Sequence, residues 1–498
     1  MTNKVTNTQT NDQLIQQANA HYADGNYAAA GKVANTVYEN DPNNPDGLFI
    51  LGMVAFKLGN HKMAIQLIEG SLTLRPKQAN VLFHLATVLQ NNNQIEDAEI
   101  RLAQALKINP YMVEAHINLG NICFGNNNPS MALNHYAAAL KSDKDNSMAH
   151  YNIGVIAQKY GDQILALSHL QKALIQAPDS APVHMAIAFS LLITEQFKQG
   201  WQEYEWRWKL PTNTPRICPI PRWEGEELEG GKRLYLYTEQ GFGDAIMCAR
   251  YIQWVQESGA YVILECKPEL LLLFQESNIA DMVVAREKDD ETPPNFKYDY
   301  HIPLMSLPSL FTNSLATIPK NVPYLKPKPS DATQWRLRLR TGKELNVGIC
   351  WSGNPTAKAN QGRACTFDDM LPITKVPGVR FYSLQKGTPA RELQTAQNEQ
   401  VVVDLDPVLT DFAQTAACLC NLDLLISTDT AVVHLAGAIN TKCWVMLHTA
   451  SEWRWLANRN DSPWYPNTTL FRQTSPDHWE TVVSQVCLEL QKMVEENQ

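Results

Sequence analysis

The stretch from Leu424 to Ala438 carries the residue pattern best suited to chemistry in this chain. Its apolar start leads into the turn Ser427-Thr-Asp-Thr430, after which small and apolar residues follow at helical spacing. This pattern predicts a buried strand, a tight turn and a helix whose first turn lies near Thr430. The free N–H groups of that first turn, together with the helix dipole, would suit a phosphate group.

Four residues of this stretch are candidate phosphate-binding residues: Asp429, Thr430, Ala431 and His434. His434 follows Thr430 by four residues, so both lie on one helix face. A simpler interpretation stays open at this point, in which Asp429 or Thr430 caps the helix and His434 is a core histidine.

A second turn, Glu239-Gln-Gly-Phe-Gly-Asp244, separates a predicted strand (Arg233 to Thr238) from a predicted helix (Ala245 to Gln256). It lacks the full dinucleotide-binding fingerprint. Asp244 would lie beyond the carboxyl end of the strand, where open α/β sheets bind ligands, and is therefore a candidate general base. The alternative role is that of a helix cap. Gln240, Gly241 and Gly243 belong to the same turn and are further candidate residues of this site.

Two series of strands alternating with helices lead into these turns, and this alternation predicts two parallel sheets. The first series has strands at 233–238, 261–266, 282–285 and 300–304, and the second at 346–351, 379–384, 401–405, 422–427 and 443–447. Loops after two strands of the second series add further candidate phosphate-binding residues: Asn354, Lys358, Arg363, Gln385 and Lys386. If the strands are parallel, these side chains lie at the same edge of the sheet as Thr430. The positive charges of Lys and Arg beside a helix N-terminus suit a diphosphate.

The N-terminal third is a repeat. Pro42, Pro76 and Pro110 are 34 residues apart, and Pro178 follows after 68. Alanines recur with the same period, at positions 30, 64, 98, 132 and 166. Small residues allow helices to cross closely and proline ends a helix, so each unit is predicted to be a helix–turn–helix.

Composition limits the class of protein. The chain has 498 residues, a net charge of −9 and 44% hydrophobic residues. The acidic balance argues against a nucleic-acid binder, and no apolar stretch is long enough for a membrane span. The polar N-terminus lacks a signal-peptide core, which favours a cytoplasmic protein.

The period and the segment Asn118-Leu-Gly120 with Ala132 and Ala139 resemble tetratricopeptide repeats. Gly243-Asp244 and Asp429-Thr-Ala-Val-Val-His434 resemble the heptosyltransferase family, glycosyltransferase family 9, while repeats fused to such a body resemble the O-linked N-acetylglucosamine transferase family. The chain as a whole looks like bacterial proteins that join these repeats to a heptosyltransferase-like domain. Glu239 to Asp244, Trp351-Ser-Gly-Asn-Pro355 and Trp464-Tyr-Pro466 look characteristic of that set.

This resemblance implies an α-solenoid followed by a GT-B fold, two Rossmann-like domains facing a cleft. The expected parts are a disordered tail (1–10), five full repeats and a partial sixth (11–208), a linker (209–232), an acceptor domain (233–328) and a nucleotide-sugar domain (329–498). Family members usually have glycine where Ala431 stands.

The implied function is inverting, metal-independent transfer of a sugar from a nucleotide-diphosphate donor to a hydroxyl acceptor, with Asp244 as base. Lys358 and the Asp429-Thr430-Ala431 turn would hold the phosphates, and the repeats would select a protein or peptide. No cofactor or metal is expected, and homo-oligomers are compatible with the sequence. The alternatives are a non-catalytic scaffold with a nucleotide-sensing or vestigial GT-B body, and a transferase acting on lipid or polysaccharide.

Overall fold

The computed structural model describes residues 9–213, 215–228, 230–287, 296–339, 342–356, 360, 362–394, 402–475 and 478–497. The chain divides into two compact units: residues 1–156 with 168–178, and residues 157–167 with 179–498. Among the described residues, no helix combines the length and the apolar character needed to cross a membrane.

Helices follow one another along the N-terminal region, as the 34-residue period predicts. They are α1 (Asn11–Ala23), α2 (Tyr27–Asn40), α3 (Pro45–Lys57), α4 (His61–Leu74), α5 (Ala79–Asn91), α6 (Ile95–Ile108), α7 (Val113–Gly125), α8 (Pro129–Ser142), α9 (Ser147–Lys159), α10 (Gln163–Gln176), α11 (Ala181–Ile193) and α12 (Phe197–Tyr204).

The recurring small residues lie where helices touch. The five alanines of the period are fully buried. A Cβ atom on Gly52 would lie 2.6 Å from Cγ1 of Ile68, and one on Gly120 would lie 2.4 Å from the ring of Tyr136. Larger side chains do not fit at these crossings, so the sequence period reflects close packing of helices, and the predicted helical repeats are confirmed.

The first α/β region contains a parallel sheet in the order β3-β2-β1-β4. Its elements are β1 (Arg233–Tyr237), α13 (Phe242–Cys248), α14 (Ile252–Glu257), β2 (Tyr261–Cys266), α15 (Pro268–Glu276), β3 (Met282–Ala285), β4 (Tyr300–Pro303) and α16 (Leu307–Phe311). The single helix predicted from Ala245 to Gln256 is wrong. Helix α13 begins earlier because Gly241 is its N-cap, and a 3₁₀ turn at 249–251 interrupts the helix where the Arg250 side chain donates to the Met247 carbonyl.

The second α/β region contains a parallel sheet in the order β10-β9-β8-β5-β6-β7. Its elements are α17 (Pro329–Leu339), β5 (Leu345–Cys350), α18 (Phe367–Thr374), β6 (Val379–Ser383), β7 (Val402–Asp404), α19 (Phe412–Leu419), β8 (Leu424–Thr428), α20 (Ala431–Ala438), β9 (Cys443–Leu447), β10 (Thr468–Arg472) and α21 (Glu480–Glu496). Parallel pairing confirms the two predicted α/β sheets. The expected domain boundaries, like the GT-B arrangement, stay predictions.

Candidate functional site

The segment that follows β1, here called turn A (residues 239–244), carries the candidate base. Gly241 caps α13, and its N–H donates to Oδ2 of Asp244 at 2.9 Å. The capping role considered for Asp244 is therefore present in the structure. Its other oxygen, Oδ1, accepts a hydrogen bond from Arg454. Gln240 has a positive φ of 61°, and its side-chain oxygen accepts from the Tyr204 hydroxyl at 3.0 Å.

The segment between β8 and α20, here called turn B (residues 428–431), carries the candidate phosphate residues. Thr430 is the N-cap of α20, and its hydroxyl lies 3.0 Å from that of Ser427. Asp429 is 4% exposed, so its carboxyl group lies in the interior beside the first turn of the helix. The strand, turn and helix predicted for this stretch are all present.

Turns A and B touch. A Cβ atom on Gly243 would lie 2.7 Å from Cδ2 of His434 and 3.5 Å from Cα of Ala431. Only glycine allows this close approach, because any side chain would meet the imidazole ring. The structure thus brings together the two segments that sequence placed on the acceptor and donor sides.

Acidic and basic side chains alternate in a row that joins the two turns. This row is called cluster 2 (Asp244, Arg454, Glu452, Arg363 and Asp429), and a similar cluster 1, from earlier in the sequence, is described below. Arg454 pairs with both Asp244 and Glu452. Glu452 in turn pairs with Arg363, whose Nε lies 3.7 Å from Oδ2 of Asp429.

Burial and neighbouring charges set the ionisation of cluster 2. Although burial opposes its charge, Asp244 and Glu452 raise the pKa of Arg454. Burial also opposes ionisation of Glu452, but Arg454 and Arg363 hold the pKa of Glu452 below its ordinary value. Burial raises the pKa of Asp429, partly offset by Arg363. Cluster 2 is therefore held together by charge-assisted contacts in a poorly hydrated environment.

His434 is a neutral imidazole at physiological pH. Burial, and then Arg454, lower the pKa of His434 to about 3. Its Nδ1 lies 3.0 Å from the Tyr465 hydroxyl, its Nε2 lies 3.8 Å from Oδ1 of Asp429, and its ring stacks on Trp455. An uncharged ring can offer a phosphate a hydrogen bond but no positive charge.

The other candidate donor residues are engaged within the protein. Gln385 is buried and accepts from the N–H groups of residues 351 and 352, so it joins the loops that follow β5 and β6. Lys386 pairs with Asp406. Asn354 accepts from Thr356 in a local turn. Lys358 lies outside the described residues. The side chain of Lys386 nevertheless stays about half exposed to solvent.

Sequence reasoning missed Glu452 and Arg454, and it named Tyr465 only within the segment Trp464-Tyr-Pro466, without a role at the site. A usable pattern was present: the tetrapeptide Glu-Trp-Arg-Trp occurs twice, at 205–208 and at 452–455. Charged residues between tryptophans are expected to be buried with partners, because the rings exclude water from them.

The first copy of the tetrapeptide forms a similar arrangement, here called cluster 1 (Glu205, Arg207, Arg222 and Glu239). Glu205 pairs with Arg207 at 2.6 Å and with Arg222 at 2.7 Å, and Arg207 reaches Glu239 of turn A at 3.1 Å. The Ser306 hydroxyl closes cluster 1, at 2.7 Å from Arg207 and 2.9 Å from Glu205. Burial raises the pKa of Glu239 to about 7, opposed by Arg207.

Comparison with protein families identifies the N-terminal repeats. A family model described as anaphase-promoting complex, cyclosome, subunit 3 matches residues 23–105, and a tetratricopeptide-repeat model matches residues 124–181. Two solved repeat structures are also similar: YrrB, described as a TPR protein with an unusual peptide-binding site (24% identity, 36% of this chain, 91% of that chain, TM-score 0.30), and a thermophilic TPR protein of Thermus thermophilus (21%, 37%, 100%, 0.32). Similarity at this level does not support an inference about function.

A curated relative extends the comparison beyond the repeats. Protein FlbA of Caulobacter vibrioides is 30% identical over 332 residues, which cover 62% of this chain and 54% of FlbA. The match is longer than the repeat region, so it includes part of the α/β region, while the chain spans about half the length of FlbA. Together with the helices at 34-residue intervals, these matches show that the N-terminal region consists of tetratricopeptide repeats.

Proposed function

We propose that the protein is a glycosyltransferase that moves a sugar from a nucleotide-diphosphate donor to a hydroxyl group of a protein. The observation that carries the proposal is the contact between turns A and B. It places a carboxylate, Asp244, and two guanidinium groups in one connected cluster. Inverting transfer requires a base for the acceptor hydroxyl and positive charge on the leaving diphosphate.

In this proposal the donor diphosphate binds Arg363, Arg454 and the first turn of α20. Guanidinium groups can bind phosphate through two parallel hydrogen bonds, and a helix N-terminus adds further N–H donors. In this proposal, cationic side chains take the role that a divalent metal has in other transferases. His434 contributes by positioning, through Tyr465 and Asp429, and adds no charge.

Asp244 must be released before it can act as a base. In the structure its two oxygens accept from Gly241 and from Arg454. An Asp244 oxygen that accepts from Arg454 is not free to accept the proton of a hydroxyl group. We propose that Arg454 turns from Asp244 to the diphosphate, so that donor binding activates the base.

The acceptor is proposed to be a protein held by the repeats. In the first unit, a cavity of about 490 Å³ lies among α1, α2, α3 and α5, and its lining includes five aromatic rings. They are Tyr22, Tyr27, Phe49, Phe56 and Phe83. Such a surface suits an extended peptide with apolar side chains, and tetratricopeptide repeats commonly bind protein partners.

A second candidate function is a non-catalytic scaffold. The observation that favours it is that Arg363, Arg454 and Lys386 are each paired with a carboxylate. In this alternative the repeats bind partners, and the α/β region only senses a nucleotide or is vestigial.

The test measures thermal unfolding of the full chain with UDP, GDP, ADP and CDP, followed by release of the selected nucleoside diphosphate from its sugar donors. A selective rise in the unfolding temperature identifies the base, because a ligand that binds only the folded state stabilises it. Asp244→Asn keeps an acceptor for the Gly241 N–H and removes the charge. We expect it to reduce transfer by about 10²–10⁴-fold while nucleotide binding persists.

The matched control is Glu257→Gln, which removes an exposed carboxylate of α14 in the same region and should leave transfer unchanged. Binding of a nucleotide without any transfer, or transfer that survives Asp244→Asn, would favour the scaffold or another base. Absence of any nucleotide binding would remove the transferase proposal.

A further inference from the structure

Two histidine pairs lie one repeat apart in the first unit. Nδ1 of His116 is 3.2 Å from Nδ1 of His135, and Nδ1 of His150 is 2.9 Å from Nδ1 of His169. The first members are on α7 and α9 and the second members on α8 and α10, so each pair links the two helices of a repeat. Corresponding members are 34 residues apart, so the repeat builds the same pair twice.

In the first member of each pair, the contact of Nε2 determines which ring nitrogen carries the proton. Nε2 of His116 lies 3.0 Å from the Pro110 carbonyl, and Nε2 of His150 lies 3.1 Å from the Lys144 carbonyl. A carbonyl only accepts, so Nε2 carries the proton and a neutral ring has its lone pair on Nδ1. Metal-binding histidines commonly show this arrangement, with one ring N–H on a backbone carbonyl and the other nitrogen on the metal.

The second member of each pair is partly exposed to solvent. His135 and His169 are half-buried. Burial, followed by the facing histidine, lowers the pKa of both. Glu99 lies close enough to His135 to act on it electrostatically, whereas Lys172 acts on His169.

We propose that each pair binds one divalent transition-metal ion through its two Nδ1 atoms. Two imidazole nitrogens on a tetrahedral zinc ion lie roughly 3.3 Å apart, given Zn–N bonds of about 2.0–2.1 Å, which is close to the separations in the pairs. Imidazole ligands favour zinc, nickel and copper(II) over magnesium or calcium. No third histidine, cysteine, aspartate or glutamate completes either site within the described part of the chain, so water fills the remaining positions.

Without a metal ion, a hydrogen bond between the two Nδ1 atoms explains the same short distance in each pair. His135 or His169 then carries its proton on Nδ1 and donates to the facing ring. Metal binding needs only the other tautomer of that half-buried ring, in which the proton moves to Nε2. An ion bound in this way would tie α7 to α8 and α9 to α10, which would stiffen two consecutive repeats.

One repeat further along the chain, glutamate stands at the position of the second histidine. His184 and Glu203 each lie 34 residues after the corresponding members of the second pair, and Nδ1 of His184 contacts the Glu203 carboxylate. The His184 ring also stacks on Trp206 at 3.5 Å. A carboxylate here holds the imidazole as an ion pair or hydrogen-bonded pair, so the proposal is limited to the two histidine pairs.

The experiment is a calorimetric titration of the full chain with zinc chloride near neutral pH, after removal of any affinity tag. We expect two zinc ions per chain, with the tighter site at the first pair because Glu99 favours a cation and Lys172 opposes it. His135→Asn should lose the tighter site and His169→Asn the weaker one. The control His61→Asn replaces a histidine of α4 and should retain both sites.

Absence of zinc binding, or wild-type stoichiometry in both pair variants, would overturn the proposal. Circular dichroism establishes that each variant keeps its helices. A second measurement needs no variant: the electron paramagnetic resonance spectrum of copper(II) bound to the wild type should show coupling to two nitrogen nuclei per site, and coupling to none would overturn the proposal. These outcomes are independent of nucleotide binding and transfer.

Discussion

The two copies of Glu-Trp-Arg-Trp form the same local arrangement but join different parts of the molecule. In each, the glutamate bridges two arginines, and the arginine of the tetrapeptide reaches a carboxylate of turn A. Cluster 1 ends on Ser306 and on the Met305 N–H, which follow β4, so it anchors turn A to its own sheet. Cluster 2 continues through Arg363 to Asp429 in turn B, so it connects the two sheets.

Cluster 1 therefore supports the fold around turn A, whereas cluster 2 lies where we propose that the donor binds. Cluster 1 is enclosed by a hydroxyl, a backbone N–H and the rings of Tyr204 and Trp208 around Arg207. Cluster 2 contains the proposed base and the proposed phosphate-binding arginines. We therefore expect changes in cluster 1 to reduce stability and changes in cluster 2 to alter ligand binding.

The largest expected difference is between Arg207→Gln and Arg454→Gln. Loss of Arg207 leaves Glu205 and Glu239 without their shared buried cation, and breaking a buried ion pair costs about 3–5 kcal/mol of unfolding free energy. Arg454→Gln should cost less, roughly 1–3 kcal/mol, because among the described residues Arg454 hydrogen-bonds only the carboxylates of Glu452 and Asp244, whereas Arg207 also donates to the Tyr204 carbonyl and the Ser306 hydroxyl. Chemical denaturation of both variants measures the difference. Equal losses of stability would contradict the comparison.

A pH measurement tests cluster 1 in a second way. The pKa of Glu239 is raised to about 7, above its ordinary value of 4.5. Between these values the folded protein holds a proton that the unfolded chain has released. The unfolding free energy should therefore fall by up to about 3 kcal/mol as pH rises from about 4.5 to 7, and this contribution should stay constant above that range.

Glu239→Gln removes this titration, so its unfolding free energy should depend less on pH than that of the wild type. Denaturation at about pH 5 and about pH 8 gives the comparison, with Glu257→Gln as the matched control. Identical pH dependence in the wild type and Glu239→Gln would show that Glu239 titrates alike in the folded and unfolded states.

The smallest expected effect concerns affinity. Glu452→Gln removes the negative charge that competes for Arg363 and Arg454, so the dissociation constant of the nucleoside diphosphate should fall about tenfold, which corresponds to about 1.4 kcal/mol. Glu205→Gln makes the matching change in cluster 1 and should leave that constant unchanged. Calorimetric titration of both variants measures the two constants. Similar changes in both would mean that the two clusters do not differ in function.

Much of this fold follows from the sequence because its determinants are local. Strands β2, β3 and β9 occupy the predicted residues, and the other predicted strands differ by one or two residues at either end. The recurring alanines and glycines also predict the positions where neighbouring helices cross closely. Strand β10 was not predicted, because its short Thr-Thr-Leu-Phe-Arg segment lacks a clear apolar alternation.

The candidate site was predictable only in part. Asp244 and Asp429 each follow a predicted strand, so their position at a sheet edge is a local property. The pairing of Asp244 with Arg454 spans 210 residues and depends on how the two sheets face each other, which no spacing in the sequence encodes. The neutralisation of Lys386 by Asp406 also depends on tertiary contact, because their loops follow two different strands.

The alternating chain of cluster 2 has one further consequence. It contains three carboxyl groups and two guanidinium groups, and His434 beside it is neutral. A diphosphate that enters this cluster adds negative charge, and both guanidinium groups of the cluster are already paired with carboxylates. Uncompensated charge in the protein interior is strongly unfavourable. Donor binding should therefore be accompanied by proton uptake, most readily by Asp429, whose pKa is already raised by burial. The heat of binding would then vary with the ionisation enthalpy of the buffer, and affinity for the donor would increase as the solution becomes more acidic.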